Sequence, residues 1–149
     1  MSPDKNGRLR LNRGSLFPHL FVLSRKKDII NLYLCSVRFD CNVFGLAAAH
    51  KHFYGEIIKN PTKAQIFVLI DRLSNVNSKI LSGNIYSKIC RLYRKRLLSE
   101  FDIESIFDIY RKLIINKKIG SNSTYDIKEL ESLIKKIRSV VFKKEVVIN

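Results

Sequence analysis

From Pro61 onward the apolar positions keep helical spacing, and turn and cap residues fall between the runs. Asn60-Pro61-Thr62 is a break, because proline disfavours helix at the residue before it, and Thr62 is suited to cap a new helix. Ile66, Leu69, Ile70 and Leu73 then recur at helical intervals and predict a helix from Lys63 to about Ser74. Asn77 to Leu81 reads as a second, short segment that leads to a turn at Gly83, and Asn84 to Leu97 reads as the helix after it. Ser99 with Asp102 is an S-x-x-D start signal for a helix whose apolar face is Ile103, Ile106, Phe107, Tyr110 and Leu113. Lys117 and Lys118 would complement the C-terminal dipole of that helix. After the Gly120-Ser-Asn-Ser loop the signal repeats at Ser123 and Asp126, and Ile127, Leu130, Ile134, Ile137 and Val141 line a last helix.

The first third is less periodic. Residues 1–14 are polar and predict a flexible arm, in which Lys5, Arg8, Arg10 and Arg13 are candidate phosphate contacts. In residues 15–41 Pro18 interrupts one apolar run, and Ile30, Leu32 and Leu34 alternate with Tyr33, Cys35 and Val37. That pattern fits a short strand near residues 29–39, buried on both sides, or a buried helix, and periodicity does not choose between them. Phe44 to Ile58 is alanine-rich and helical, weakened toward its end by Gly55. The expected fold is therefore mostly α. It consists of an N-terminal arm over 1–14 and one domain over 15–149, built from an apolar part (15–60), a helix-turn-helix-like unit (61–98) and a C-terminal helical pair (99–149).

Charge changes the picture. The 149 residues hold 28 Lys plus Arg against 13 Asp plus Glu, a net charge of +15. The excess is spread along the chain, with 11 basic and 4 acidic residues in 1–63 and 15 and 8 in 88–149, so a polyanion surface would be built on folded elements. The three cysteines, Cys35, Cys41 and Cys90, make no disulfide framework. The start is polar and basic rather than a signal peptide, and no run reaches the ~18 apolar residues that span a bilayer. A cytoplasmic protein with reduced thiols and no membrane partner is expected.

The basic residues concentrate in SGNIYSKICRLYRKRL, where Lys88, Arg91, Arg94, Lys95 and Arg96 fall within nine positions. At 100° per residue Ile85, Ile89, Cys90, Leu92, Tyr93 and Leu97 share one side, and Lys88, Arg91, Arg94 and Lys95 the other. Arg96 lies on the apolar side, where its stem can snorkel. A helix, a short segment, a glycine turn and a basic helix make the order of a helix-turn-helix unit, whose second helix enters the major groove. Asn84, Tyr86, Ser87, Lys88 and Arg91 would then face bases, and Arg94 and Lys95 phosphates.

Leu69 to Arg96 also resembles the N-terminal segment of the C subunit of the flagellar master regulator FlhDC and related conjugative-element activators. The shared features are Leu69-Ile70, Ser82-Gly83 and Arg91-Leu92-Tyr93 before basic residues, and ESIFDIYRKL at Glu104 to Leu113 extends the similarity. The resemblance runs from Lys63 to Ile137 and implies a transcription regulator of bacterial or mobile-element type that acts with a partner subunit; a homo-oligomer is the other assembly expected. Two departures stand out. That family carries a four-cysteine zinc site late in the chain, and this sequence has no cysteine after Cys90. The family's Pro- and Gly-rich loop is replaced by the direct run from Leu97 to Glu100.

Chemistry of other kinds is not signalled. His50 and His52 are spaced to opposite faces of a helix, and Cys35 and Cys41 lie outside structural zinc spacing, so no metal or cofactor is expected. Phosphate-cradling glycine loops and nucleophile elbows are absent from the sequence. Asp102, Glu104 and Asp108 fall on one helix as ordinary surface carboxylates, and Cys90 falls on an apolar face, so a binding protein rather than an enzyme is expected. DNA is favoured over RNA as its partner. An RNA-binding protein and an interaction module with a basic surface for an acidic partner are the alternatives.

Overall fold

The computed structural model describes residues 25–74, 80, 82–120 and 122–142, of which 72% are helical. The chain divides into two units between Ser36 and Val37, a division inside the single domain expected over 15–149. The N-terminal arm, with Lys5, Arg8, Arg10 and Arg13, lies outside the described residues, as does the short segment expected at 77–81 except Ile80.

In the first unit the described residues form one helix, α1 (Lys26–Ser36). Of the two readings open for residues 29–39, a short strand or a buried helix, the structure has a helix as far as Ser36, and none of that helix's residues is buried. Ser36 closes it by donating its hydroxyl to the carbonyls of Leu32 at 2.8 Å and Tyr33 at 3.3 Å, a back-bond open to serine only in helical geometry.

The second unit begins with a small antiparallel hairpin, β1 (Arg38–Asp40) and β2 (Val43–Phe44), in which Arg38 faces Phe44 and Asp40 faces Val43. Asn42 takes the left-handed conformation at the turn, and Asp40 accepts the Cys41 N–H at 2.7 Å. The hairpin buries Phe39 and Val43. Helix α2 (Leu46–Tyr54) comes next and stops at Gly55, whose left-handed N–H bonds the Lys51 carbonyl. The Tyr54 hydroxyl donates to the Gln65 carbonyl at 2.8 Å and so fixes α2 to the start of the next helix.

Four helices complete the unit: α3 (Lys63–Ser74), α4 (Ser82–Arg94), α5 (Glu100–Ile115) and α6 (Ser123–Val141). Thr62 caps α3 as expected and does so within a capping box. Its hydroxyl accepts the Gln65 N–H at 3.2 Å, and Gln65 accepts the Thr62 N–H at 2.9 Å. Ser99 and Asp102 form the same device on α5. The α6 cap sits one residue before the expected Ser123, at Asn122, and the Asp126 carboxylate takes the Asn122 N–H at 3.0 Å. That carboxylate folds back against Gly120, where φ is +84° and a side chain would run into Asp126 Oδ2.

Helix α3 packs on α5, α4 packs on α6, and α5 and α6 pack on each other. Glu104, early in α5, meets Arg138, late in α6, at 2.7 Å, and Arg111 meets Glu131 at 2.8 Å, so α5 and α6 run antiparallel. The expected α5 face is wholly buried, and so are Leu130, Ile134, Ile137 and Val141 of α6. Helix α3 departs from its expected pattern. Of the four positions that marked it, only Leu69 is buried, Ile66 and Ile70 are exposed, and Asp71 and Arg72 lie inside beside Ala64, Phe67 and Val68. Spacing at 64, 67, 68, 71 and 72 is an equally good helical stripe, and it wins because its two charged members find partners in the core.

Candidate nucleic-acid interface

The basic helix α4 is anchored by Ile85, Ile89 and Cys90, which are buried. The turn expected at Gly83 is not present: Gly83 lies within the first turn of α4 with ordinary helical geometry, and nothing stands within 4 Å of where a Cβ would be. In a helix-turn-helix unit the two helices pack directly across a tight turn. Here α3 and α4 are not among the principal packing pairs of the unit.

On α4 the exposed positions are Gly83, Asn84, Ser87, Arg91 and Arg94, continued by Lys95 and Arg96. Asn84, Ser87, Arg91, Arg94 and Lys95 fall at helical intervals and form one stripe, polar at its start and cationic at its end. The Ser87 hydroxyl donates to the Gly83 carbonyl at 3.0 Å. Tyr86 is off this stripe. It is half-buried, and the Lys136 ammonium stands 4.6 Å from its ring centroid, so it serves the contact with α6.

Lys88 is also off the stripe. Its Nζ donates to Asp71 Oδ1 at 2.8 Å, and the other carboxylate oxygen accepts the Tyr110 hydroxyl at 2.6 Å and Arg72 Nη2 at 3.1 Å. Burial alone would raise the Asp71 carboxyl. The hydrogen bonds from Lys88 and Tyr110 and the positive charges of Arg72 and Lys88 outweigh it and hold the group ionised below the usual aspartate range. Tyr110 is pushed well above its ordinary value, by burial first and by the Asp71 charge second. Lys88, expected to read bases, is therefore the tie between α4 and α3.

The helix ends earlier than the sequence pattern suggests. The Arg96 N–H bonds the Tyr93 carbonyl at 2.8 Å, the Leu97 N–H bonds the Leu92 carbonyl at 3.0 Å, and Arg96 takes φ +56°. This is a Schellman stop with arginine in the left-handed position that glycine usually fills. The conformation explains why Arg96 leaves the apolar side and projects into solvent. It joins Lys63 and Arg94 around a cleft of about 600 Å³ that also includes Tyr93 and Ser99. Sequence reasoning missed Arg96 as part of the cationic surface, because no glycine marks the stop. Arg96→Gly should raise stability by about 1 kcal/mol, by relief of the left-handed strain, while lowering affinity for duplex DNA. Thermal melts and a binding titration on the same preparation check both signs.

Four carboxylates of these helices are committed elsewhere, Asp71 to Lys88, Asp108 and Glu131 to Arg111, and Glu104 to Arg138, and Glu100 accepts the Tyr93 hydroxyl at 3.4 Å. Asp102 is held low by the Ser99 backbone N–H and lies 4.0 Å from Lys63. The cations of the α4 stripe are left to face solvent.

The remaining sequence candidates have local roles. His50 Nδ1 accepts the Ile58 N–H at 3.1 Å, and His52 Nε2 lies 3.3 Å from Asp40 Oδ2. Cys35 and Cys41 are exposed and Cys90 is buried. Among the described residues no helix is long and apolar enough to cross a membrane. Comparison with family models, curated proteins and solved structures gives no match to the chain.

Proposed function

We propose that this chain binds duplex DNA through the exposed stripe of α4 and acts as a cytoplasmic transcription regulator. The observation that carries the reading is the stripe itself: Asn84 and Ser87 at the start of a surface helix, then Arg91, Arg94 and Lys95, all exposed, while Asp71, Glu104 and Glu131 are engaged by other cations. A helix of 13 residues is about 20 Å long and fits along a major groove. Asn84 is suited to an adenine edge and Arg91 to guanine, while Arg94, Lys95 and Arg96 are suited to phosphates. The resemblance of Leu69–Arg96 to the FlhDC C subunit supports the same reading, with α4 entering the groove without the glycine turn of a helix-turn-helix unit.

Duplex DNA is preferred to single-stranded RNA on a specific ground. Recognition of unstacked bases needs exposed aromatic rings within the cationic surface. Tyr86 lies under Lys136, and the Tyr93 hydroxyl is 3.4 Å from Glu100, so neither ring lies in the stripe. Alanine variants test the assignment. Arg91→Ala should narrow the affinity ratio between a selected site and random duplex by about 1–3 kcal/mol, and Lys95→Ala should weaken binding to both alike. Equal and small effects from both substitutions would sink the assignment. Lys88→Ala, by contrast, should act mainly on stability, through Asp71.

A further inference from the structure

Helix α3 carries aliphatic side chains on both its buried and its exposed sides. It buries Asp71 and Arg72, and the stripe it turns to solvent is Lys63, Ile66 and Ile70, at positions i, i+3 and i+7. A buried charge and an exposed aliphatic stripe on one helix are the informative departures from ordinary patterning. Ile66 is 42% exposed and Ile70 54%. Across from them, the Schellman stop of α4 brings out Leu97, 54% exposed, over Leu92. Between the two helices lies an open apolar groove of about 320 Å³, floored by Phe67 and Leu98 and edged by Lys63, Lys88 and Arg91. That volume accepts more than one aliphatic side chain.

We infer that this groove docks an acidic amphipathic helix of a partner protein. The shape selects a helix. The walls are two helices, which meet their own main-chain hydrogen bonds and offer no strand edge, so the occupant must satisfy its own backbone as well. The apolar floor selects aliphatic anchors spaced one turn apart. The edge selects the sign of charge. Lys88 is spent on Asp71 and Lys63 faces Asp102 at 4.0 Å, but Arg91 stands at the lip, and the whole chain carries +15. A second copy would bring cations to cations, whereas a glutamate flanking the leucines of a partner helix would meet Arg91. The groove lies beside the DNA-facing stripe and shares only Arg91 with it, so the inference does not depend on the nucleic-acid reading.

The test uses the full chain and a fluorescein-labelled model helix with leucines at i, i+4 and i+7 and glutamates beside them. A companion peptide carries lysine for every glutamate. At physiological ionic strength the acidic peptide should bind saturably and the lysine peptide should not. Ile66→Glu and Leu97→Glu, both exposed positions outside the core, should each weaken binding by about tenfold with the melting temperature unchanged. Methyl chemical shifts of Ile66 and Leu97 should move in the wild-type titration. Failure of the acidic peptide to bind, or binding indifferent to both substitutions, would overturn the proposal. So would a sedimentation-detected dimer that Ile66→Glu dissociates, which would give the groove to a second copy.

Discussion

Asp71→Asn should cost the fold about 3–5 kcal/mol at neutral pH, the scale for removing one partner of a buried ion pair. The carboxylate is fully buried and accepts from Lys88 at 2.8 Å, Tyr110 at 2.6 Å and Arg72 at 3.1 Å, so one side chain ties α3, α4 and α5 together. An amide keeps the volume and one acceptor but loses the charge that Lys88 and Arg72 answer. Denaturant melts of the two proteins give the difference directly. The same group sets an acid limit. Its folded value lies below the ordinary 3.8, so its contribution is complete above that pH and is lost as pH falls through the depressed folded value. The stability of wild type should therefore fall over that window more steeply than that of Asp71→Asn. Parallel acid profiles would contradict the network.

Reversing the stripe should have the largest effect on binding. The combined variant Arg91→Glu, Arg94→Glu, Lys95→Glu removes three cations at exposed positions; the phosphate contacts of Arg94 and Lys95 each contribute roughly a factor of ten at about 0.1 M salt, and the base contact of Arg91 about as much again. A loss of about 10²–10³-fold in duplex affinity is expected, with the fold intact because none of the three side chains is buried. Circular dichroism checks the second point and anisotropy the first. An unchanged affinity would place the polyanion surface elsewhere on the chain.

The helical half of this fold was legible because its signals are local. The α5 face and the Ser99–Asp102 box arise from spacing and cap chemistry alone, and the structure has both. Two kinds of feature were not legible. Where a sequence supports two helical stripes, as in α3, the choice depends on partners far along the chain, and Tyr110, which satisfies Asp71, is 39 residues away. Residues 29–39 alternate and recur at once, so strand and helix are equally allowed, and the outcome is a helix to Ser36 with Arg38 and Phe39 in β1. The basic face of α4 could be drawn on a wheel, but the wheel placed Lys88 with the solvated cations. Its inward turn depends on a buried acid that no local pattern announces. Arg96 was hidden for the opposite reason, since a left-handed arginine gives no glycine signal.

The central claim is that the stripe of α4 takes up duplex DNA. Anisotropy of the full chain with random-sequence duplex DNA and with single-stranded RNA, each at low and moderate salt, tests it most directly. The expected result is tight duplex binding that falls steeply as salt rises, with the duplex preferred to the single strand. Absence of duplex binding at low salt, or a clear preference for the single strand, would contradict it.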